Sequence, residues 1–247
     1  MYKNTRGLIL REVKYKEADR ILTVLTEDEG KLTVRARGAL RKGSHFGAAT
    51  QLLTYSELTL FENKGRWSVN EASTVEEFKG LRGDIASLAL ASYFAECVEA
   101  LSDEDRPEPQ MLQLILNCLF ALSSGLCKPE QIKAAFELRL MCLAGYEPEL
   151  SVCPVCGAEQ PEEPYFSAEN GLVCCRKCRS AALDADIKLT ADALSAMRYI
   201  EYAEARRLLS FSLAGESMER LSFAAERYLL TKTERGFGAL DYWKKVK

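Results

Sequence analysis

Five of the nine cysteines lie within 26 residues, and their spacing is suited to holding a metal ion. Two C-x-x-C pairs, Cys153 with Cys156 and Cys175 with Cys178, are separated by 18 residues. This spacing is typical of four-cysteine zinc sites, in which four thiolates surround one tetrahedral ion. Because four protein ligands leave no open position for water or substrate, the pattern predicts one structural Zn²⁺.

The third ligand of this site has two candidates, because Cys174 directly precedes Cys175. We favour Cys175 because it keeps the C-x-x-C spacing, and we retain Cys174 as the alternative. A redox dithiol would need only one such pair, so two pairs at this distance favour zinc. The cations of Arg176, Lys177 and Arg179 would offset the net negative charge of four thiolates on Zn²⁺ and favour the thiolate forms.

The remaining cysteines are scattered singly, as expected for small buried side chains in a reducing compartment. The chain is 47% hydrophobic and 28% charged, which is typical of a globular protein. Its apolar runs are shorter than the roughly 20 residues that cross a bilayer, and the first residues contain no signal-peptide core. We therefore expect a cytoplasmic protein.

No set of residues predicts catalysis. The single histidine, His45, has no convincing serine or cysteine partner for a triad. Motifs for phosphate loops, dinucleotide binding and zinc proteases are missing from the sequence. The acidic clusters at 27–29, 103–105 and 162–163 are interpreted as solvated loops. The chain is therefore predicted to be a binding protein, with no catalytic residues and no enzymatic activity.

Positive charge is concentrated near the N-terminus although the net charge of the chain is −3. No acidic residue occurs from Gly30 to Ser56, a stretch that contains five basic residues. Such a local basic surface favours contact with nucleic acid phosphates. The candidate nucleic-acid contacts are Arg6, Arg11, Lys14, Arg20, Lys31, Arg35, Arg37, Arg41 and Lys42.

The elements that carry these cations are predicted to be strands. Five candidates fit a small closed barrel, for which an OB-fold is the leading interpretation: 6–13, 20–26, 31–37, 55–61 and 66–71. Residues 44–53 would form the insertion between the third and fourth strands. Arg35 and Arg37 are two residues apart, so a strand would direct both side chains to the same side.

Helical periodicity replaces the strand pattern after Asp84, which is a suitable N-cap. Helices are expected from there to Leu101, after Pro109, from Pro129 to Ala144, and over 190–209 and 216–231. The predicted fold class is therefore α+β. An OB-fold nucleic-acid-binding domain at 1–80 precedes a mainly helical domain at 81–247, into which a zinc-binding module at 149–182 is inserted.

Several segments in this order resemble the RecO family of DNA repair and recombination mediator proteins. They are E-A-D-R-I-L-T-V-L-T at 17–26, G-K at 30–31, A-R-G-A-L-R at 36–41, F-E-L-R-L at 136–140 and G-Y-E-P at 145–148, followed by the first cysteine pair. The likeness covers essentially the whole chain. The family tends to place its third cysteine shortly after a Gly-Gly pair, whereas Asn170-Gly171-Leu-Val precedes the cysteines here.

The resemblance implies binding of single- and double-stranded DNA and annealing of complementary strands. It also implies that, together with RecR, the protein loads RecA onto DNA coated by single-stranded-DNA-binding protein. The helical domain of the family receives the C-terminal tail of that protein, and Arg139 is our candidate for this contact. A zinc-ribbon and OB-fold protein that binds RNA or works with ribosomes is the alternative function.

Overall fold

A closed five-stranded barrel forms the N-terminal part of the chain. The structure, a computed structural model, describes residues 1–180 and 185–247. The barrel strands are β1 (Tyr2–Tyr15), β2 (Asp19–Thr26), β3 (Lys31–Ala36), β4 (Tyr55–Asn63) and β5 (Arg66–Glu76). Their order around the barrel is β1-β2-β3-β5-β4, with β4 returning to β1. All pairs are antiparallel except β3 with β5.

Alternation of apolar and polar residues places one face of each strand inside the barrel. In β3, Leu32, Val34 and Ala36 are buried, while Thr33 and Arg35 face outward. Strands with this period bury every second side chain. The predicted OB-fold barrel is confirmed, although β1 and β5 extend beyond the ranges expected from the sequence.

Six helices follow in the described residues. They are α1 (Ile85–Leu101), α2 (Pro109–Ser123), α3 (Pro129–Leu143), α4 (Ala191–Tyr202), α5 (Gly215–Thr233) and α6 (Gly238–Val246). Asp84 caps α1 by accepting a hydrogen bond from the Ser87 amide at 2.8 Å, as predicted. None of the helices in the described ranges is both long enough and apolar enough to cross a membrane.

The fourth predicted helix is too long. We expected it over 190–209, but α4 ends at Tyr202, where Ala203 adopts an extended conformation. The carbonyl groups of Ile200 and Glu201 accept hydrogen bonds from the Arg139 guanidinium instead of from a further helical turn. The sequence analysis also missed α6, which packs against α1 through buried Phe237, Leu240 and Trp243.

The cysteine-rich region contains a small sheet that the sequence analysis did not predict. Its strands β6 (Pro164–Ser167), β7 (Leu172–Cys175) and β8 (Ile187–Lys188) form an antiparallel sheet in the order β7-β6-β8. All of β6 and most of β7 are buried, so polar alternation could not reveal them. Residues 181–182, the end of the predicted module at 149–182, lie outside the described residues.

The chain divides into two compact units. One contains Met1–Ser124 and Phe237–Lys247, and the other contains Gly125–Gly236. The unit that holds the barrel therefore also includes α1, α2 and the C-terminal helix α6. The second unit holds α3, α4, α5 and the cysteine-rich region. The predicted functional division into residues 1–80 and 81–247 remains a proposal.

A buried ion cluster links α3 to α5 within the second unit. Lys133 Nζ lies 2.8 Å from Glu137 and 2.9 Å from Glu226, and the Lys133 side chain is 1% exposed. Burial alone would lower the pKa of Lys133, but the two carboxylates raise it above its ordinary value. The lysine therefore stays charged, and both helices depend on its position.

A close backbone contact makes Gly80 a test of the packing around the barrel. A Cβ atom at this position would lie 2.0 Å from the Ser123 carbonyl oxygen, so Gly80→Ala must displace backbone. We expect it to reduce stability by about 2 kcal/mol and to lower the Tm by roughly 4 to 8 °C in thermal unfolding. Gly83→Ala is the matched control, because nothing lies within 4 Å of its added Cβ. Equal melting of both variants would contradict this packing.

Candidate metal centre and nucleic-acid interface

The four cysteines of the two C-x-x-C pairs come together in the second unit. The sulfur atoms of Cys153, Cys156, Cys175 and Cys178 all lie within 4.8 Å of one another. The Cys156 and Cys175 sulfurs are 3.7 Å apart. Four sulfur atoms at about 2.3 Å from a central zinc ion would lie at comparable mutual distances. The cluster can therefore hold one tetrahedrally coordinated metal ion.

Tight backbone turns shape both halves of this cluster. The Gly157 amide donates to the Cys153 carbonyl at 2.8 Å, and Gly157 has a φ of +73°, which favours glycine. In the second half, the amides of Cys178 and Arg179 donate to the Cys175 carbonyl at 3.0 and 3.1 Å. Each turn brings the two sulfurs of its pair together. A backbone bridge between Glu149 and Leu172 joins the segment before Cys153 to β7, which ends at Cys175.

Cys174 lies in β7 opposite Tyr165, is buried, and is not a member of the four-sulfur group. Cys174 packs in the same buried cluster as Cys153 and Cys175, but only Cys175 belongs to the group of four close sulfurs, which supports Cys175 as the third ligand.

The thiols of the cluster differ in acidity when no cation is present. Burial would raise the pKa of Cys153, but hydrogen bonds from the backbone of Cys175, Cys156 and Val155 lower it to about 6. Burial and neighbouring sulfurs raise the pKa of Cys175 to about 11 and that of Cys178 to about 12. Four thiolates this close together therefore require a bound cation, which a metal ion would supply.

Nearby cations are only partly available to balance such a centre. Arg176 pairs with Glu163 at 2.9 Å, and Lys177 pairs with Glu162 at 3.4 Å. The guanidinium of Arg179 lies over the Tyr165 ring, 4.6 Å from its centroid. The expected charge compensation at the cluster is therefore reduced by these two acidic partners.

Four of the nine candidate DNA contacts are exposed and make no ion pair within the described ranges. Arg37, Arg41 and Lys42 lie in the segment after β3, and Lys14 lies near the end of β1. Arg37 falls just past the strand, which ends at Ala36. These side chains are free to contact a phosphate backbone.

Arg20 and Lys31 stabilise the barrel unit instead of facing solvent. The Arg20 side chain is 13% exposed, donates to the Gly47 carbonyl at 3.0 Å and pairs with Glu12 at 3.5 Å. Lys31 donates to the carbonyls of Glu99 and Ser102 at 2.7 Å each, at the end of α1. Both cations satisfy groups within the fold, so we expect their larger contribution to be to stability, and a direct contact of either with DNA stays a prediction.

Removal of the Lys31 charge tests this structural role. We expect Lys31→Met to lower the free energy of unfolding by about 2 kcal/mol, because two carbonyls at a helix C-terminus lose a charged donor. Denaturant unfolding measures the change. At a temperature where the variant is folded, its DNA affinity should stay within about twofold of wild type. A loss of affinity as large as that caused by replacing an exposed cation would contradict the structural role of Lys31.

The other three candidates are paired but accessible. Arg35 donates to Asp19 at 2.6 and 2.9 Å, and its side chain is 32% exposed. Arg11 pairs with Glu99 at 2.7 Å, and Arg6 lies 3.9 Å from Glu57. Asp19 also accepts from the Gly38 amide at 2.8 Å; this bond and Arg35 hold its pKa below the usual value. The sequence analysis missed Asp19, which lies 16 residues from the arginine it fixes.

The candidate partner contact, Arg139, is half-buried in α3. Its guanidinium donates to the last carbonyls of α4, at Ile200 and Glu201. Part of its hydrogen-bonding capacity therefore stabilises a helix C-terminus, which cations favour. Its role in binding a partner remains a prediction.

An OB-fold barrel, a helical remainder and a four-thiol cluster define a barrel protein whose cysteine-rich region could hold a metal ion. The N-terminal family model of recombination protein O matches residues 1–78, and the C-terminal model matches residues 82–241. The chain belongs to the RecO family of DNA repair proteins.

Relatives named DNA repair protein RecO match the chain over nearly its whole length. The Acetivibrio thermocellus protein is 35% identical over 243 residues, covering 98% of this chain and 96% of the relative. The Symbiobacterium thermophilum protein is 32% identical, covering 97% and 95%. The Dehalococcoides mccartyi protein is 30% identical, covering 96% and 94%. The resemblance seen in the sequence motifs is thereby confirmed.

Proposed function

We propose that this chain is a DNA-binding recombination mediator in DNA repair. It binds single- and double-stranded DNA, promotes annealing of complementary strands and, with RecR, loads RecA onto DNA coated by single-stranded-DNA-binding protein. It performs this work in the cytoplasm at the nucleoid. The observation that carries the proposal is the set of exposed cations Arg37, Arg41 and Lys42 on one short segment after β3, which make no ion pair with any described residue, in a chain matched over nearly its whole length by a DNA repair family.

Annealing of this kind needs no covalent chemistry and therefore no catalytic residues. Two strands repel each other through their phosphates, and cations that neutralise these charges release condensed counterions. The side chains of Arg37, Arg41 and Lys42 are exposed on one short segment after β3. They can contact the backbone of one strand while its bases remain available to pair with a second strand.

Zn²⁺ is our proposal for the metal in the four-cysteine cluster. An all-thiolate set with two C-x-x-C turns suits this ion, and a closed site gives it a structural role. The ion would fix the turns at Cys153 and Cys175 next to the small sheet. The ion would thus hold the inserted module in shape. We propose that the DNA contacts lie on the barrel and not on this module.

The partner surfaces are proposed on the helical part of the chain. The acidic, hydrophobic-ended tail of single-stranded-DNA-binding protein needs an apolar surface beside a cation, and Arg139 is the candidate cation. Its bonds to Ile200 and Glu201 leave other N–H groups of the guanidinium for a carboxylate. RecR is the second proposed protein partner.

An annealing assay tests the proposal directly. Complementary oligonucleotides precoated with the cognate single-stranded-DNA-binding protein should anneal faster with the chain than without it, and no nucleotide cofactor should be required. Structured RNA of equal length, added as competitor, should inhibit less than single-stranded DNA. Annealing only on bare strands would reject the mediator role, and stronger competition by RNA would favour an RNA-binding protein.

A further inference from the structure

The outer face of β1, β2 and β3 has an open part that is apolar as well as basic. In the pairing of these strands, Tyr15 lies opposite Asp19, Val13 lies opposite Ile21, and Ile21 lies opposite Arg35. Paired residues of a sheet share a face, as do residues two apart on a strand. All five side chains therefore lie on one face, opposite to the barrel core that contains Leu22, Val34 and Ala36.

One end of this face is covered by α1. Arg11 and Thr23 contact the Glu99 carboxylate at 2.7 and 3.4 Å, and Lys31 caps the end of the same helix. The other end is open: Val13 is 46% exposed and Tyr15 is 41% exposed. Every residue from Arg11 to Glu17 is exposed, so this hairpin projects from the barrel with an aromatic side chain near its tip.

Two cations lie over the Tyr15 ring. The Arg35 guanidinium lies 5.2 Å from the ring centroid, and the Lys16 ammonium lies 5.5 Å from it. Arg35 is fixed by its two bonds to Asp19, whereas Lys16 forms no ion pair with any described residue. The ring thus has one positioned cation beside it and one that can move away.

We propose that Tyr15, Val13, Ile21 and Arg35 form a seat for one unpaired nucleobase, and we call this set the base seat. The inference rests on the proposed DNA binding and goes beyond it, because it gives the barrel a preference for single strands. A flat base can stack on the aromatic ring and cover Val13 and Ile21, while Arg35 and Lys16 face its phosphates. In a duplex the bases are already stacked and paired, so this contact is not available.

Asp19 is the positioning residue of the base seat. It joins the hairpin tip to the turn after β3 by bonding both Arg35 and the Gly38 amide. Asp19→Asn would keep the shape but weaken the hold on Arg35. We expect Asp19→Asn to reduce affinity for single strands by a smaller factor than removal of the Tyr15 ring does. Affinity for a duplex should stay within about twofold of wild type.

Three DNA probes of equal length test the base seat: oligo-dT, a single strand with abasic sites throughout, and a duplex. Tyr15→Leu should weaken oligo-dT binding on the order of tenfold, and affinity for the abasic strand and the duplex should change by less than about twofold. Tyr15→Trp should retain oligo-dT binding. Tyr2→Leu is the matched control, because Tyr2 is 61% exposed at the other end of β1 and pairs with the Phe61 ring at 5.0 Å.

The outcomes separate the base seat from the proposed function. If the wild-type chain binds all three probes but Tyr15→Leu changes all equally or none, the base seat is rejected and DNA binding stands. If the wild-type chain binds none of the probes, the proposed function fails and the base seat fails with it. An equal effect of Tyr2→Leu on oligo-dT would also overturn the assignment to this face.

Discussion

Cys175→Ser should be purified without zinc, whereas Cys174→Ser should keep one zinc ion per chain. Cys175 belongs to the four-sulfur group, and Cys174, although buried in the same cluster, does not. The two substitutions remove the same atom from adjacent positions, so any general effect of losing a thiol is common to both. Metal analysis of the folded variants gives the result directly. Zinc retained by Cys175→Ser and lost by Cys174→Ser would reverse our assignment.

Loss of the ion should also destabilise the inserted module. Structural zinc contributes on the order of 10 kcal/mol of binding free energy in small four-ligand sites, and this energy stabilises the fold around the ion. Here the ion would connect the turns at 153–157 and 175–179. We expect a strong chelator to increase hydrogen exchange across β6 and β7, while exchange in the barrel changes little. Unchanged exchange in β6 and β7 would contradict a structural metal.

The barrel was predictable because its signal is local. Period-two alternation and turns at Gly30 and Gly65 locate the strands, and both glycines have positive φ. The sheet of β6, β7 and β8 was not predictable in this way, since β6 and β7 are almost wholly buried and show no alternation, and β8 has only two residues. Helix α6 was missed because it spans only nine residues, although they are strongly amphipathic, and because α1, against which it packs, is distant in sequence.

The four-cysteine cluster and the candidate DNA contacts also differ in how far local sequence identifies their residues. The four thiols could be identified because each half of the site is a local motif and only the distance between the halves had to be right. The basic residues could not be sorted from the sequence. Lys31 is turned inward by carbonyl groups 68 and 71 residues away, and Arg20 is held by a carbonyl 27 residues away. Charge composition identifies a basic segment, and only tertiary contacts separate its exposed cations from its structural ones.

Simultaneous replacement of Arg37, Arg41 and Lys42 by glutamate should sharply reduce DNA affinity. These side chains are exposed and make no ion pair in the part of the chain that the structure describes. If each contacts one phosphate, the slope of log K against log salt should become shallower by about 2.7 for a duplex and about 2.1 for a single strand, and affinity near ~0.1 M salt should fall on the order of 10²-fold. Fluorescence anisotropy with labelled single strands and duplexes, measured over a salt series, checks both numbers.

A second triple variant separates a local interface from a general effect of charge. Lys188→Glu, Arg206→Glu and Arg207→Glu change the net charge by the same amount at exposed positions of the second unit. We expect this control to leave the salt slope within about 0.5 of wild type. Both variants should keep their zinc and their Tm, because none of the replaced side chains is buried. Equal losses in the two variants would mean that overall charge, and not the segment after β3, determines DNA affinity.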